Sequence, residues 1–174
     1  ISKEKLQEYA ASLGADCAFF IDSEPAFATG IGSCLSPIDM GTTLTDCHVI
    51  IIKPSIAIST KSAYAHIHPH HPDKCCRDII NQPMETWKHE LTNDFEEQAF
   101  KDYPELQNIK NNLYEHGAIY AQMSGSGSAM FGIFKDKPEN IDSYFKPYNI
   151  ITLKLYYKTS MFVNILQVFM LIKL

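Results

Sequence analysis

Apolar residues recur at helical spacing at the start of the chain: Leu6, Tyr9, Ala10 and Leu13 stand at i, i+3, i+4 and i+7, the pattern of a helix that buries one stripe. Ser2 offers a side-chain oxygen where such a helix needs an N-cap, and Gly14 offers a left-handed stop. Residues 16–21 are short and mostly apolar, which predicts a buried strand or extended segment. Gly30 and Gly32 bracket a turn between Phe27-Ala28 and Leu35. The β-branched run Val49-Ile50-Ile51-Ile52, closed by Pro54, predicts the plainest strand of the chain.

Beyond Pro54, Ser59 or Thr60 can cap a short helix that carries Tyr64. Residues 66–74 hold four histidines and two prolines and read as a loop. Asn93 begins another helix, with Glu96 three residues on in a capping-box-like arrangement. Pro104 suits the first residue of a further helix, with Leu106, Ile109 and Leu113 as its face and Gly117 at its end. Ile119, Ala121 and Met123 then alternate as a strand does, residues 124–128 form a loop, and residues 129–134 form a second strand. Helix, strand, glycine-rich loop and strand predict an α+β domain without internal repeats.

Composition narrows this picture. The 174 residues are 45% hydrophobic, with 10 Phe, 9 Tyr and 1 Trp, enough to fill a core and to exclude a disordered chain. A net charge of -5 speaks against a broad nucleic-acid-binding surface. Five cysteines without regular spacing argue against a disulfide framework and for a reducing, cytoplasmic setting. The most apolar run, residues 161–172, is broken by Asn164 and Gln167 and falls short of the about 20 residues of a membrane span. A soluble protein with neither nucleic-acid nor membrane partner is expected.

Four places could carry chemistry. In Met123-Ser124-Gly125-Ser126-Gly127-Ser128-Ala129, glycines among serines let backbone N–H groups converge on an anion while hydroxyls add donors. No Gly-Lys-Ser/Thr follows and a strand comes next, so neither a Walker A loop nor a dinucleotide fingerprint is present. A flexible hairpin loop is the plainer alternative. Asp16, after Gly14 and before Cys17-Ala18-Phe19-Phe20, sets a carboxylate beside an apolar wall, and a turn or capping role competes with a functional one. His66, His68, His70 and His71 with Cys75 and Cys76 are the most metal-like set, but their spacing departs from that of zinc ligands and favours a polar surface loop. Glu96-Glu97 reads as a solvated first helical turn favoured by the helix dipole.

Taken in order, several of these segments resemble one family. Leu13-Gly14-Ala15-Asp16 with Phe19-Phe20, Gly30-Ile31-Gly32, Lys53-Pro54 with Ser59-Thr60, Asn93-Asp94-Phe95-Glu96, and the 124–129 loop with Phe131-Gly132 are similar to the C-terminal part of the 4-diphosphocytidyl-2-C-methyl-D-erythritol kinases. That family lies within the galactokinase, homoserine kinase, mevalonate kinase and phosphomevalonate kinase (GHMP) superfamily. The resemblance covers residues 1–150. It implies a GHMP-kinase fold: residues 1–47 as the remainder of the N-terminal lobe, residues 48–150 as a ferredoxin-like substrate-binding domain, and residues 151–174 as a tail without assigned role.

The resemblance also implies ATP- and Mg2+-dependent phosphorylation of the 2-hydroxyl of 4-diphosphocytidyl-2-C-methyl-D-erythritol, in non-mevalonate isoprenoid synthesis. Asp16 matches the family's catalytic aspartate. Thr60 and Tyr64 match substrate-lining positions, the ring suited to stacking on cytosine, and Ser124, Gly125, Ser126 and Gly127 match the phosphate-side loop. Where the family usually has Pro and Glu, this chain has Ala18 and Ser33. The family's catalytic lysine and Gly-Gly-Gly-Ser-Ser loop have no counterpart in these residues. A fragment lacking its nucleotide-binding half, inactive alone, is therefore expected, with a non-catalytic binding module of the same fold as the alternative and a zinc-site protein as a remoter one.

Overall fold

The β-branched run folds as expected, into β3 (His48–Lys53), an inner strand of a four-stranded sheet. The computed structural model describes residues 1–14, 17–22, 25–30, 34–41, 43–68, 70 and 72–156. Asp16, His71, Ser33 and residues 157–174, which carry several of the expectations above, lie outside the described residues.

The sheet is antiparallel throughout, in the order β4-β5-β3-β6. Its other strands are β4 (Tyr120–Met123), β5 (Met130–Phe134) and β6 (Asn149–Lys154). Between β3 and β4 run α3 (Thr60–Ala65), α4 (Cys76–Ile79), a 3-10 turn at Met84–Thr86, α5 (Trp87–Glu90), α6 (Phe95–Asp102) and α7 (Pro104–Glu115). A tight hairpin joins β4 to β5, and α8 (Ile141–Tyr144) joins β5 to β6. This βαββαβ order, with the first and third strands at the centre, is the ferredoxin-like arrangement. Residues 151–154 of the expected tail belong to β6 and pair with β3.

Both faces of the sheet are covered. Ile50, Ile52, Ala121, Met123, Met130 and Phe134 pack with Phe95, Ala99, Leu106, Ile109 and Leu113 of α6 and α7. On the opposite face, Val49, Tyr120, Phe131 and Ile133 meet Ile79, Ile80, Met84, Trp87 and Leu44. Every residue of β4 is consequently buried, although the alternation at 119–123 is that of a half-exposed strand. The second cover is built from short helical turns at 76–90, whose apolar residues follow no long period.

Residues 1–41 depart further from the sequence reading. α1 (Lys3–Leu13) forms, with the Ser2 hydroxyl accepting from the Lys5 N–H, but of its apolar stripe Ala10 alone is buried, and Leu13 remains 84% exposed. Gly14 ends the helix in extended rather than left-handed backbone, its N–H donating to the Ala10 carbonyl. Within 16–21, where a strand or extended segment was expected, the chain turns at Cys17-Ala18 and forms α2 (Phe19–Asp22). β1 (Ala26–Thr29) and β2 (Cys34–Pro37) make the expected hairpin around Gly30, as a separate two-stranded sheet. No described helix is long and apolar enough to cross a membrane.

The contact of α7 with the sheet is close. A Cβ added at Gly132 of β5 would lie 3.1 Å from Leu113 Cδ2 and 2.9 Å from Phe134 Cε2. Leu113 is fully buried there. Leu113→Ala is expected to cost about 2–5 kcal/mol, read from urea unfolding. A cost well under about 1 kcal/mol would show that this contact does not anchor the helix.

Candidate functional site

The glycine-serine loop is the β4–β5 turn, with Ser124, Gly125, Ser126 and Gly127 half-buried and Ser128 buried. The Ser124 N–H donates to the Ala129 carbonyl at 2.8 Å and the Gly127 N–H to the Ser124 carbonyl at 2.9 Å. Gly127 has φ +91°, and a Cβ there would lie 2.7 Å from Met123 Sδ and 2.8 Å from Ile58 Cδ1. Both backbone freedom and close packing therefore require glycine at 127.

The loop faces the other predicted site residues. Ser59 caps α3 by accepting from the Ser62 N–H, which leaves Thr60 in the first turn with Oγ1 3.3 Å from Ser126 Oγ. One turn on, the half-exposed Tyr64 ring stands edge-on to Phe95, with centroids 5.0 Å apart. Thr60, Tyr64 and the 124–127 loop thus form one surface, while Asp16 lies outside the described residues.

Three residues to which the sequence reading gave no role in the site hold the loop. Lys53 Nζ donates to Ser128 Oγ at 2.6 Å, and the Ser128 hydroxyl donates to the Ile56 carbonyl. Asn93 Nδ2 donates to the carbonyls of both Met123 and Gly125, 2.8 Å each, while its Oδ1 accepts from the Phe95 N–H. Glu96 Oε1 accepts the Met123 N–H at 2.7 Å, and Oε2 pairs with Lys110 Nζ at 2.5 Å. The capping-box reading is corrected here: α6 starts at Phe95, its N-cap Asp94 makes no side-chain capping bond, and the Glu96 carboxylate turns toward β4.

The solvated reading of the acidic pair is corrected as well. Glu97 is exposed and paired with Lys101, but Glu96 is only 8% exposed. Only Asn93-x-x-Glu96 followed by Lys110, nearly two turns into the next amphipathic helix, hinted at this pair in the sequence. Burial pushes the Glu96 carboxyl above its ordinary value, opposed by Lys110 and by the hydrogen bond from Met123.

The histidine–cysteine segment is described in part, with Pro69 and His71 outside the described residues. His66, His68 and His70 are exposed, and among the described residues no group of three His, Cys, Asp or Glu could hold a metal ion. Cys76 is buried at the start of α4, and burial pushes its thiol up to about 11, the reverse of what a thiolate ligand needs.

The Glu96 shift has a definite sign. An acid raised in the fold contributes stability below its unfolded value and loses it as pH rises through the folded value. The thermal midpoint of the native chain minus that of Glu96→Gln should therefore fall as pH rises from about 4 to about 7, measured by calorimetry. A difference that grows over the same range would mean that pairing with Lys110 outweighs burial.

Comparison with known proteins points to a family for this fold. Residues 77–145 match the family described as GHMP kinases C terminal. A 4-diphosphocytidyl-2-C-methyl-D-erythritol kinase of Bacteroides fragilis is 49% identical over 134 residues, covering 77% of this chain and 48% of the relative. One from Azobacteroides pseudotrichonymphae is 44% identical over 153 residues, covering 87% and 57%. The chain spans about half the length of the curated relatives it matches. A crystal structure of 4-(cytidine 5'-diphospho)-2C-methyl-D-erythritol kinase shares the fold with a TM-score of 0.68 at 24% identity, over 87% of this chain and 57% of that one. With its ferredoxin-like sheet and glycine-serine loop, the chain is similar to the C-terminal part of the GHMP kinases and, among them, to the 4-diphosphocytidyl-2-C-methyl-D-erythritol kinases.

Proposed function

We propose that this chain contributes the substrate-binding part of an ATP-dependent kinase that phosphorylates the 2-hydroxyl of 4-diphosphocytidyl-2-C-methyl-D-erythritol. The observation that carries the reading is the meeting of Thr60 and Tyr64 with the 124–127 loop on one surface. Residues 48–150 form the substrate-binding domain in this proposal, and residues 1–47 bring Asp16 from the other lobe.

Each group has a task that its chemistry suits. The Tyr64 ring, steadied edge-on by Phe95, stacks on the cytosine. The hydroxyls of Ser124, Ser126 and Thr60, with the N–H groups of Gly125 and Ser126, donate to phosphate oxygens. These donors fit a nucleotide's phosphates, and ATP when bound supplies the phosphoryl group. No described cluster of carboxylates fits Mg2+, so no step is assigned to the ion.

An Asp of ordinary pKa about 3.9 is too weak a base to deprotonate an alcohol outright. In a loose phosphoryl-transfer transition state, however, the Asp16 carboxylate orients the 2-hydroxyl and accepts its proton late, as the new O–P bond forms. Asp16 is assigned by its match to the family motif.

The test is phosphoryl transfer from radiolabelled ATP to the diphosphocytidyl substrate, measured on the complete gene product that carries this sequence. Asp16→Asn should lower kcat by about 10²-fold or more; unchanged turnover would remove Asp16 from the chemistry. Tyr64→Ala should raise KM for the diphosphocytidyl substrate by about tenfold, the worth of one stacked base, with KM for ATP unmoved. No transfer by the native protein would overturn the reading.

A further inference from the structure

We infer that Asn93 and Glu96 are positioning residues for the 124–127 loop, setting where its phosphate-binding groups stand relative to Thr60 and Tyr64. The inference rests on the kinase reading above for its functional consequence, but the mechanical part stands on the geometry alone.

Met123, the last residue of β4, is held by both of its backbone polar groups: its N–H by Glu96 and its carbonyl by Asn93. The same Asn93 amide reaches the Gly125 carbonyl inside the loop, so one side chain spans the junction of strand and turn. The Phe95 N–H on Oδ1 fixes which way that amide faces. Phe95, between the two gripping residues, packs edge-on to Tyr64.

Any displacement of residues 93–96 therefore moves the loop and the aromatic wall together. On the far side, Ser128 is held independently by Lys53 and the Ile56 carbonyl. Loosening 93–96 frees the leading arm of the loop while its trailing arm stays fixed. Misplacement by about 1 Å is enough to cost a phosphoryl-transfer site on the order of 10²-fold.

Asn93→Asp is the discriminating variant. It keeps the Oδ1 acceptor that starts α6 and loses both donors to the loop. Amide hydrogen exchange at Ser124 and Gly127 should rise by about tenfold or more, while β3 amides keep their protection. Glu96→Ala should free the Met123 amide in the same way, and Glu96→Gln, which retains the acceptor, should restore protection. Unchanged loop exchange in both Asn93→Asp and Glu96→Ala would overturn the inference, as would an equal rise throughout the sheet.

In the complete gene product the uncharged Asn93→Ser, which keeps an acceptor for the Phe95 N–H but cannot reach both the Met123 and Gly125 carbonyls, should raise KM for ATP by about tenfold with KM for the diphosphocytidyl substrate little changed. An unaltered KM for ATP would overturn the positioning role. If the native protein transfers no phosphate, the kinase reading falls, and the exchange comparison by itself decides whether Asn93 and Glu96 hold the loop.

Discussion

The open edge of β4 is the constraint on which the site depends. β4 is one of the two edge strands of the sheet and is buried along its whole length. Its outward N–H and carbonyl groups cannot turn to water, and each one left unpaired would cost about 1–3 kcal/mol. Among the described residues no further strand supplies partners; side chains do. Tyr114 Oη accepts from the Ala121 N–H and donates to the Ala121 carbonyl, both at 3.1 Å. Two residues on, Glu96 and Asn93 do the same for Met123. The start of α6 and the end of β4 are thereby locked in register, and the loop after Met123 inherits its position from that lock.

The rest of the fold makes the lock rigid. α6 and α7 are tied to the sheet by Phe95, Ala99, Leu106, Ile109 and Leu113, and the opposite face is closed by Trp87, Met84 and Ile79. Both covers press on the same strands, so β4 and β5 have little room to shift. The hairpin between them carries the glycines and serines at one end of the sheet, where α3 also begins. Loops that bind ligands from such a scaffold keep their geometry without being rigid themselves.

Much of this frame was legible in the sequence because its signals are local. The β-branched run at 49–52, Pro104 opening α7, the Leu106–Ile109–Leu113 face and the Ser59 cap each act within a few residues. Thr60, Tyr64 and the 124–127 loop could be named from their motif resemblance, and the structure brings them together. What local reading missed is what depends on distant partners. Glu96 looks like a surface acid until Met123, 27 residues on, and Lys110 close around it. Asn93 reads as a helix start, which its Oδ1 serves, but its donors also meet two carbonyls about thirty residues away in the chain. The stripe of α1 shows the opposite failure: its period predicts burial, but within the described residues most of that face remains exposed.

Charge explains why the clamp takes the form of an ion pair. A carboxylate bonded to the residue that opens an anion-binding loop would repel the phosphates the loop is proposed to hold. In partly buried surroundings, unit charges about 4 Å apart interact by about 4 kcal/mol, falling inversely with distance. A neutral acceptor would avoid that repulsion, but its hydrogen bond to the Met123 N–H would be weaker than a charged one. Lys110, 2.5 Å from the carboxylate oxygen of Glu96 that does not bond Met123, resolves the conflict. It cancels the field of the carboxylate at a distance while leaving the short-range bond intact. Because Lys110 comes from α7, whose face is anchored in the core, the neutralising charge is held as firmly as the acceptor it serves.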